Sequence, residues 1–285
     1  MPKKVKSVKP PKLLKVKEPD ERGKYREVHP HLPRAPFLLI GAGSVRSGKT
    51  CALIGLLRDN EQFYGDDYWD KVVVYSNSIF NDPKCKYLED VFEVHDGFSN
   101  TSIDQYIANQ KKHKKEDMPT GLLVFDDIIH ANFSKGVANS LNTLATRFRH
   151  INTSIMIFVQ QFRAISPLIR ANATDIMIFK QQSTKQLESI AEEYEDLAGD
   201  EFLNYYNEAI NDEPYSFLYI DAQKNPAEFF IRWEKLIGLG TKPVKDGADK
   251  PPEEPFDKEE YPKKPCKKCG KIHEKEEECK VCGLK

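Results

Sequence analysis

The sequence predicts an α/β fold, a mainly parallel sheet with helices on both faces, followed by a small separate module at the C-terminus. Three observations carry this prediction. From residue 31 to 240, short apolar runs alternate with helix-patterned segments, which is how strands joined by crossover helices read. The octapeptide Gly43-Ser44-Val45-Arg46-Ser47-Gly48-Lys49-Thr50 has the form G-x-x-x-x-G-K-[ST] and lies between an apolar run and a helical pattern. Two C-x-x-C pairs, Cys266/Cys269 and Cys279/Cys282, close the chain.

Residues 1–30 hold Lys3, Lys4, Lys6, Lys9, Lys12, Lys15 and Lys17 among prolines and show no periodicity, so they read as a basic disordered arm. Such an arm suits either a phosphate backbone or plain solvation. The next segment, 31–240, is the main domain. Phe37-Leu38-Leu39-Ile40 predicts a strand over 37–41, and Cys51 to Leu57 predicts a helix over 48–59. Further strands are expected at 71–76, 121–126, 154–160 and 175–180, with helices at 101–112, 135–149, 184–197 and 200–210. Segments 216–220 and 227–232, separated by Asp221 to Pro226, predict a closing hairpin. Phe63-Tyr64 and Tyr68-Trp69 read as sheet-edge packing, and Lys111, Lys112, Lys114 and Lys115 as a charged surface loop. Six prolines among charged residues mark 241–265 as a stiff linker, leaving 266–285 as the cysteine tail.

Composition narrows the function classes. The formal net charge of −1 over 285 residues excludes a molecule that grips nucleic acid by bulk charge. Charge is unevenly placed, however: 1–17 carry seven lysines and no acid, while 188–213 carry ten acids and no base. No stretch approaches the roughly 18 apolar residues that span a bilayer. The N-terminus lacks an apolar signal core, so a soluble intracellular protein, not secreted, is expected.

The glycine-rich octapeptide lets consecutive N–H groups point at phosphate oxygens where a helix N-terminus adds positive potential. Lys49 is expected on the terminal phosphates and the Thr50 hydroxyl on Mg²⁺, which makes the chain a binder of nucleoside triphosphates such as ATP. Gly121 to Phe125 is an apolar strand that ends in Asp126-Asp127. A buried strand tolerates carboxylates at its C-terminal rim, where an open α/β sheet binds ligand. Asp126 is then the Mg²⁺ partner and Asp127 the group that orients or deprotonates water, with a helix N-cap as the alternative for Asp127. Ser154 to Val159 runs into Gln160, which is placed to sense the γ-phosphate. Cys266, Cys269, Cys279 and Cys282 have the spacing of a zinc ribbon, with His273 a bystander. Lys263, Lys264, Lys267, Lys268 and Lys271 suit DNA or a capsid partner; the Glu274 to Glu278 acids oppose a purely phosphate-binding face.

With Thr146-Arg147-Phe148-Arg149-His150 ahead of the Gln160 strand, and Ile165-Ser166-Pro167-Leu168-Ile169-Arg170-Ala171-Asn172 after it, the chain resembles the FtsK–HerA branch of P-loop ATPases. More narrowly it is similar to the genome-packaging ATPases of large nucleocytoplasmic DNA viruses and virophages, including the poxvirus type. That resemblance implies a RecA/ASCE-like P-loop NTPase domain in which the Gln160 strand lies between the phosphate-loop and acidic strands. It also implies a homo-oligomeric ring that drives double-stranded DNA into a capsid, at viral assembly sites in the host-cell cytoplasm or in the virion. Arg149 takes the place of an arginine reaching the neighbouring subunit, with Arg147 second, and Arg170 and Asn172 fall in a later motif that senses nucleotide or the neighbour. Many relatives carry Asp-Glu where this chain has Asp126-Asp127, which favours water positioning over direct proton abstraction. A cellular or plasmid-type DNA pump or helicase, and a nucleotide switch or zinc-dependent interaction module, stand as alternatives.

Overall fold

Strands covered on both faces need continuous apolar sequence, and helices that cover them need one apolar stripe. The computed structural model describes residues 28–58, 63–81, 83–97, 99–127 and 135–241. In chain order the elements begin with β1 (Leu38–Ala42), α1 (Lys49–Arg58), β2 (Lys71–Ser76), α2 (Lys86–Val91), β3 (Glu93–His95) and α3 (Asn100–Gln110). Then come β4 (Gly121–Asp126), α4 (Lys135–Arg147), β5 (Thr153–Val159), α5 (Pro167–Ala171) and β6 (Asp175–Phe179). The order closes with α6 (Thr184–Ala198), α7 (Phe202–Asp212), β7 (Phe217–Asp221), β8 (Glu228–Ile231) and β9 (Lys235–Leu239).

All these strands join one sheet in the order β3-β2-β4-β5-β1-β6-β7-β8-β9. Every residue of β1, β4, β5 and β6 is buried. Because side chains alternate, each strand feeds two cores. Leu38, Ile40, Leu123, Phe125, Ile155 and Ile157 face the core completed by Ile103 and Ile107 of α3, Leu141 and Leu144 of α4, Ile190 of α6 and Tyr206 of α7. Leu39, Leu122, Val124, Met156 and Phe158 face the other, completed by Leu53, Leu56 and Leu57 of α1 and Leu88 of α2.

The sheet is mixed. Strands from β3 to β6 pair in parallel, whereas β6–β7, β7–β8 and β8–β9 are antiparallel. Two helices, α6 and α7, stand between β6 and β7. A single helix returns the chain to the opposite end of the strands; a pair returns it to the end it left, so β7 runs antiparallel to β6. The expected β7–β8 hairpin is present, and the Gln160 strand lies between β1 and β4 as the resemblance implied. The helix expected over 135–149 stops at Arg147, and residues Phe148–Ile151 continue as a 3-10 turn. Not anticipated were α2, β3, α5 and β9, which are short or, like β9, hold no fully buried residue. The arm as far as residue 27, the linker from 242 and all four tail cysteines lie outside the described residues. Among the described residues no helix is long and apolar enough to cross a membrane.

Candidate nucleotide-binding site

Parallel strands that share one direction also share one C-terminal rim, and here that rim collects the polar residues singled out by sequence. Gly43 leaves β1 with its N–H donating to the Val159 carbonyl at the end of β5 (3.1 Å), and Ser44 N–H donates to the Lys180 carbonyl just past β6 (3.1 Å). Ser44 Oγ in turn accepts from Gln182 N–H at 2.8 Å, and the Gln181 amide donates to the Ala42 carbonyl at 3.0 Å. The loop is thereby tied to both neighbouring strands. Glycine is required at position 43 because a Cβ there would lie 2.5 Å from Phe179 Cβ and 2.6 Å from Ser47 Oγ. At Gly48 the backbone adopts φ +108°, a region that side-chain-bearing residues avoid. Arg46, at the tip, is also left-handed (φ 60°), and Val45 and Arg46 are exposed.

Lys49 opens α1 and is 7% exposed. Its ammonium donates to the carbonyls of Gly43 (2.7 Å) and Ser44 (2.9 Å), so the side chain folds back over the loop. Burial pushes its pKa below the ordinary lysine value, and the carboxylates of Asp127 and Asp126 oppose that shift. Lys49 and the acidic pair therefore belong to one electrostatic neighbourhood. Thr50 follows in the first turn of α1 and is half-buried. Ser47 Oγ is buried and has no hydrogen-bond partner among the described residues. A buried hydroxyl with no protein partner, in a glycine-rich turn at a helix N-terminus, fits a phosphate oxygen as its partner.

Asp126 ends β4, is 3% exposed, and pairs in register with Phe158 of β5. Asp127 N–H donates to the Phe158 carbonyl (3.0 Å), and its backbone is left-handed at φ 55°. Gln160, the first residue after β5, donates its amide to Asp127 Oδ2 at 2.6 Å. Strain of this kind in a non-glycine residue gathers at functional sites and persists only where neighbours fix it. The structure thus brings Gly43–Thr50, Asp126, Asp127 and Gln160 to one rim. The residues that Asp127 would cap as a helix N-terminus lie outside the described residues.

Arg149 is elsewhere. It is exposed in the turn that precedes β5, at the opposite end of that strand from Gln160, roughly 20 Å away at ~3.3 Å per residue for seven residues. It cannot serve its own phosphate loop. Arg147 is likewise exposed. Arg170 is occupied: its guanidinium donates to Glu193 (3.1 Å) and to the Ile165 carbonyl (2.6 Å), and its side chain is 12% exposed. Asn172 caps α5 and donates to the Leu168 carbonyl at 2.8 Å. Among the described residues no cluster of His, Cys, Asp or Glu is arranged to hold a metal, and the zinc-spaced cysteines are not among them.

Sequence reasoning missed Ser76 and the Gln181-Gln182 pair. Ser76 ends β2 in register with Asp126, is fully buried, and donates to Asp126 Oδ2 at 3.4 Å. The signal was available, since a polar residue closing Val72-Val73-Val74-Tyr75 obeys the same rim rule as Asp126. Nothing local marks the glutamines, whose roles depend on β6 lying beside β1.

A phosphate loop at the exit of one parallel strand, with an acid at the exit of another two places away, defines a P-loop NTPase fold. Residues 26–201 match the family model of the poxvirus A32 protein, and the chain belongs to that family. It is 28% identical over 159 residues to the DNA packaging protein OPG160 of monkeypox virus, covering 52% of this chain and 49% of that protein. The same protein of vaccinia virus (strain Copenhagen) matches at 28% over 159 residues, 55% of its length. The chain spans about half the length of the curated relatives it matches. The crystal structure of B204, the DNA-packaging ATPase from Sulfolobus turreted icosahedral virus, superposes with TM-score 0.50 at 14% identity, over 70% of this chain and 98% of that one. B204 from the related virus 2, in complex with sulfate, gives 0.50 at 13%. At such identity the likeness is one of fold. The resemblance to viral packaging ATPases holds.

Proposed function

We propose that the chain hydrolyses ATP and uses the free energy to drive double-stranded DNA into a viral capsid, as one subunit of a homo-oligomeric ring. The observation that carries the hydrolytic part is the meeting of Lys49, Asp126, and the hydrogen-bonded Asp127–Gln160 pair on one sheet rim. DNA as a partner rests on family membership and on the poxvirus relatives, which are DNA packaging proteins; the capsid follows from the resemblance to packaging ATPases.

The N–H groups of Val45, Arg46 and Gly48 to Thr50, which the loop's own ties leave out, and the Lys49 ammonium would hold the triphosphate; the Thr50 hydroxyl and Asp126 would hold Mg²⁺. When bound, Mg²⁺–ATP supplies the transferable phosphoryl group and neutralises part of its charge. Asp126 is kept in place by Ser76, and Asp127 orients water or takes its proton. Gln160 holds Asp127 from the neighbouring strand, so a change at the phosphate end reaches β5 directly. Arg149 of one subunit completes the site of the next, where an arginine contributes on the order of a thousandfold in rate. Assembly sites in the host cytoplasm are where such a motor would act.

Steady-state ATP turnover with and without long duplex DNA tests this reading. The unmodified chain should accelerate on duplex, and Lys49→Ala should lose hydrolysis by at least about a hundredfold with an unchanged circular dichroism spectrum. Turnover indifferent to DNA would leave a nucleotide switch. Undiminished hydrolysis by Lys49→Ala would remove the site itself.

The C-terminal tail is proposed to bind one zinc through Cys266, Cys269, Cys279 and Cys282, because four thiolates in two knuckles match zinc and 20 residues cannot build a core. Elemental analysis should find one zinc per chain, lost in Cys266→Ser with Cys269→Ser. A metal-free intact chain would end this proposal.

A further inference from the structure

The turn between α7 and β7 returns the chain to the rim that carries the phosphate loop. Phe217, the first residue of β7, pairs with Phe179, the last of β6, so residues 213–216 project past the strand ends. There Tyr215 meets Gly48. A Cβ added to Gly48 would lie 2.9 Å from Tyr215 Cβ and 3.2 Å from the Tyr215 carbonyl oxygen. Tyr215 is 68% exposed and its backbone is left-handed, φ 68°. Neither property serves packing. An aromatic ring contributes most when its faces are covered, and a positive φ is an outlier for a bulky residue.

This turn is held in place. Arg232 donates to Glu213 at 2.6 Å and to Asp212 at 3.4 Å, and its N–H donates to the Phe217 carbonyl at 3.0 Å. Ser216 N–H closes the turn on the Glu213 carbonyl at 3.1 Å. An exposed ring on a braced, strained support is the arrangement of a binding platform.

The run of a bound nucleotide fixes which part meets that ring. Its terminal phosphate belongs with Lys49, Asp126 and Gln160, on the side of β1 occupied by β5 and β4. The phosphates would lie across the N-terminus of α1. With the terminal phosphate on that side, sugar and base would leave on the other, where β6 and β7 stand and where Tyr215 meets Gly48. The buried aromatics nearby, Phe179, Tyr206 and Phe217, are consumed by the cores.

We propose that Tyr215 is the surface on which the nucleobase of the bound triphosphate stacks, which gives the site a preference for purine over pyrimidine nucleotides. The inference rests on the nucleotide site proposed above. Stacking on a ring is tolerant of base identity and grows with the size of the base, so the discrimination is by ring area.

Calorimetric titration of the full chain separates the two layers. Three probes are used with Mg²⁺: a nonhydrolysable ATP analogue, the corresponding UTP analogue, and inorganic tripolyphosphate. In the unmodified chain the ATP analogue should bind more tightly than the UTP analogue. Tyr215→Ala should weaken the ATP analogue about tenfold or more, erase the purine preference and leave tripolyphosphate unchanged. Tyr215→Trp should keep the preference and show indole emission that responds to the ATP analogue and not to tripolyphosphate. If Tyr215→Ala bound the ATP analogue as the unmodified chain does, the platform would be refuted. Equal losses for the ATP analogue and tripolyphosphate would refute it too, by assigning Tyr215 a bracing role on Gly48. If the unmodified chain bound none of the probes, the nucleotide site would fall and this subsite with it.

Discussion

Asp175 shows what burial does to a carboxyl that no cation comes to meet. It opens β6, is fully buried, and accepts from Tyr219 Oη at 2.6 Å and from the Gln223 amide at 3.5 Å. Desolvation drives its pKa up to about 7, hydrogen bonds from Thr174, Tyr219 and Gln223 pull against that, and Asp221 opposite adds to it. The native state then binds this proton more tightly than the unfolded chain, whose Asp titrates near 3.8. A raised pKa contributes stability that is fully present below about pH 4 and is lost as pH rises through about 7. Asp175→Asn keeps an acceptor for Tyr219 and removes the titration. The stability difference between the unmodified chain and Asp175→Asn, from urea unfolding, should shrink in the original's disfavour between pH 4 and pH 7; a flat difference would contradict the assigned burial. Lys49 and Thr50 were legible in sequence through the fixed spacing of the glycine-rich motif, and Asp126 as an acid that closes an apolar strand. Asp175 was not: a polar residue at a strand start looks like a solvated end, and only the neighbours brought by β7 and the turn after it bury it.

Among elements, β1 and β5 must come together closely for the phosphate loop to leave one beside Gln160 leaving the other. Gly41 makes that approach possible, since a Cβ there would fall 2.4 Å from a ring carbon of Phe158. Gly41→Ala should destabilise the domain by about 1–3 kcal/mol through overpacking, read as a lower urea midpoint with an unchanged slope. An unaltered midpoint would mean that the Phe158 ring moves freely, which its full burial argues against. The apolar runs of β1, β4, β5 and β6 announced themselves because both faces are covered. β3 is three residues long with no fully buried position, and β9, although it holds Leu236, Ile237 and Leu239, has the same lack, so neither shows the alternation or the covered run that marks the inner strands. The direction of β7 was hidden for another reason: it follows from two helices packing as a pair, a relation no local pattern records.

For the whole molecule, Arg149 and the phosphate loop stand at opposite ends of the central strands, and the proposed trans role of Arg149 would call for a head-to-tail contact that repeats into a ring. Subunits carrying Lys49→Ala and subunits carrying Arg149→Ala should each be inactive alone. Mixed, they should recover part of the hydrolysis at interfaces that join an intact loop to an intact arginine. Absence of recovery at every ratio, with both variants still assembling and binding nucleotide, would withdraw Arg149 from this role. The arrangement of the rim was readable residue by residue. That Arg149 is exposed and out of reach of its own site was not, because it depends on where the turn before β5 falls relative to the sheet.

Likeness to the family model ends at residue 201, yet the sheet continues through β7, β8 and β9 to Leu239. This last stretch covers the flank of β6 with Phe217, Leu218 and Tyr219, and the Tyr206 hydroxyl accepts the N–H of Gln181 beside the phosphate loop. A protein cut back to its recognisable portion would bare a strand of Ile176, Met177, Ile178 and Phe179 to water and slacken the support under Ser44 at the same time. The stretch beyond the family match is thus tied, by the apolar surface it covers, to the phosphate loop that lies within that match.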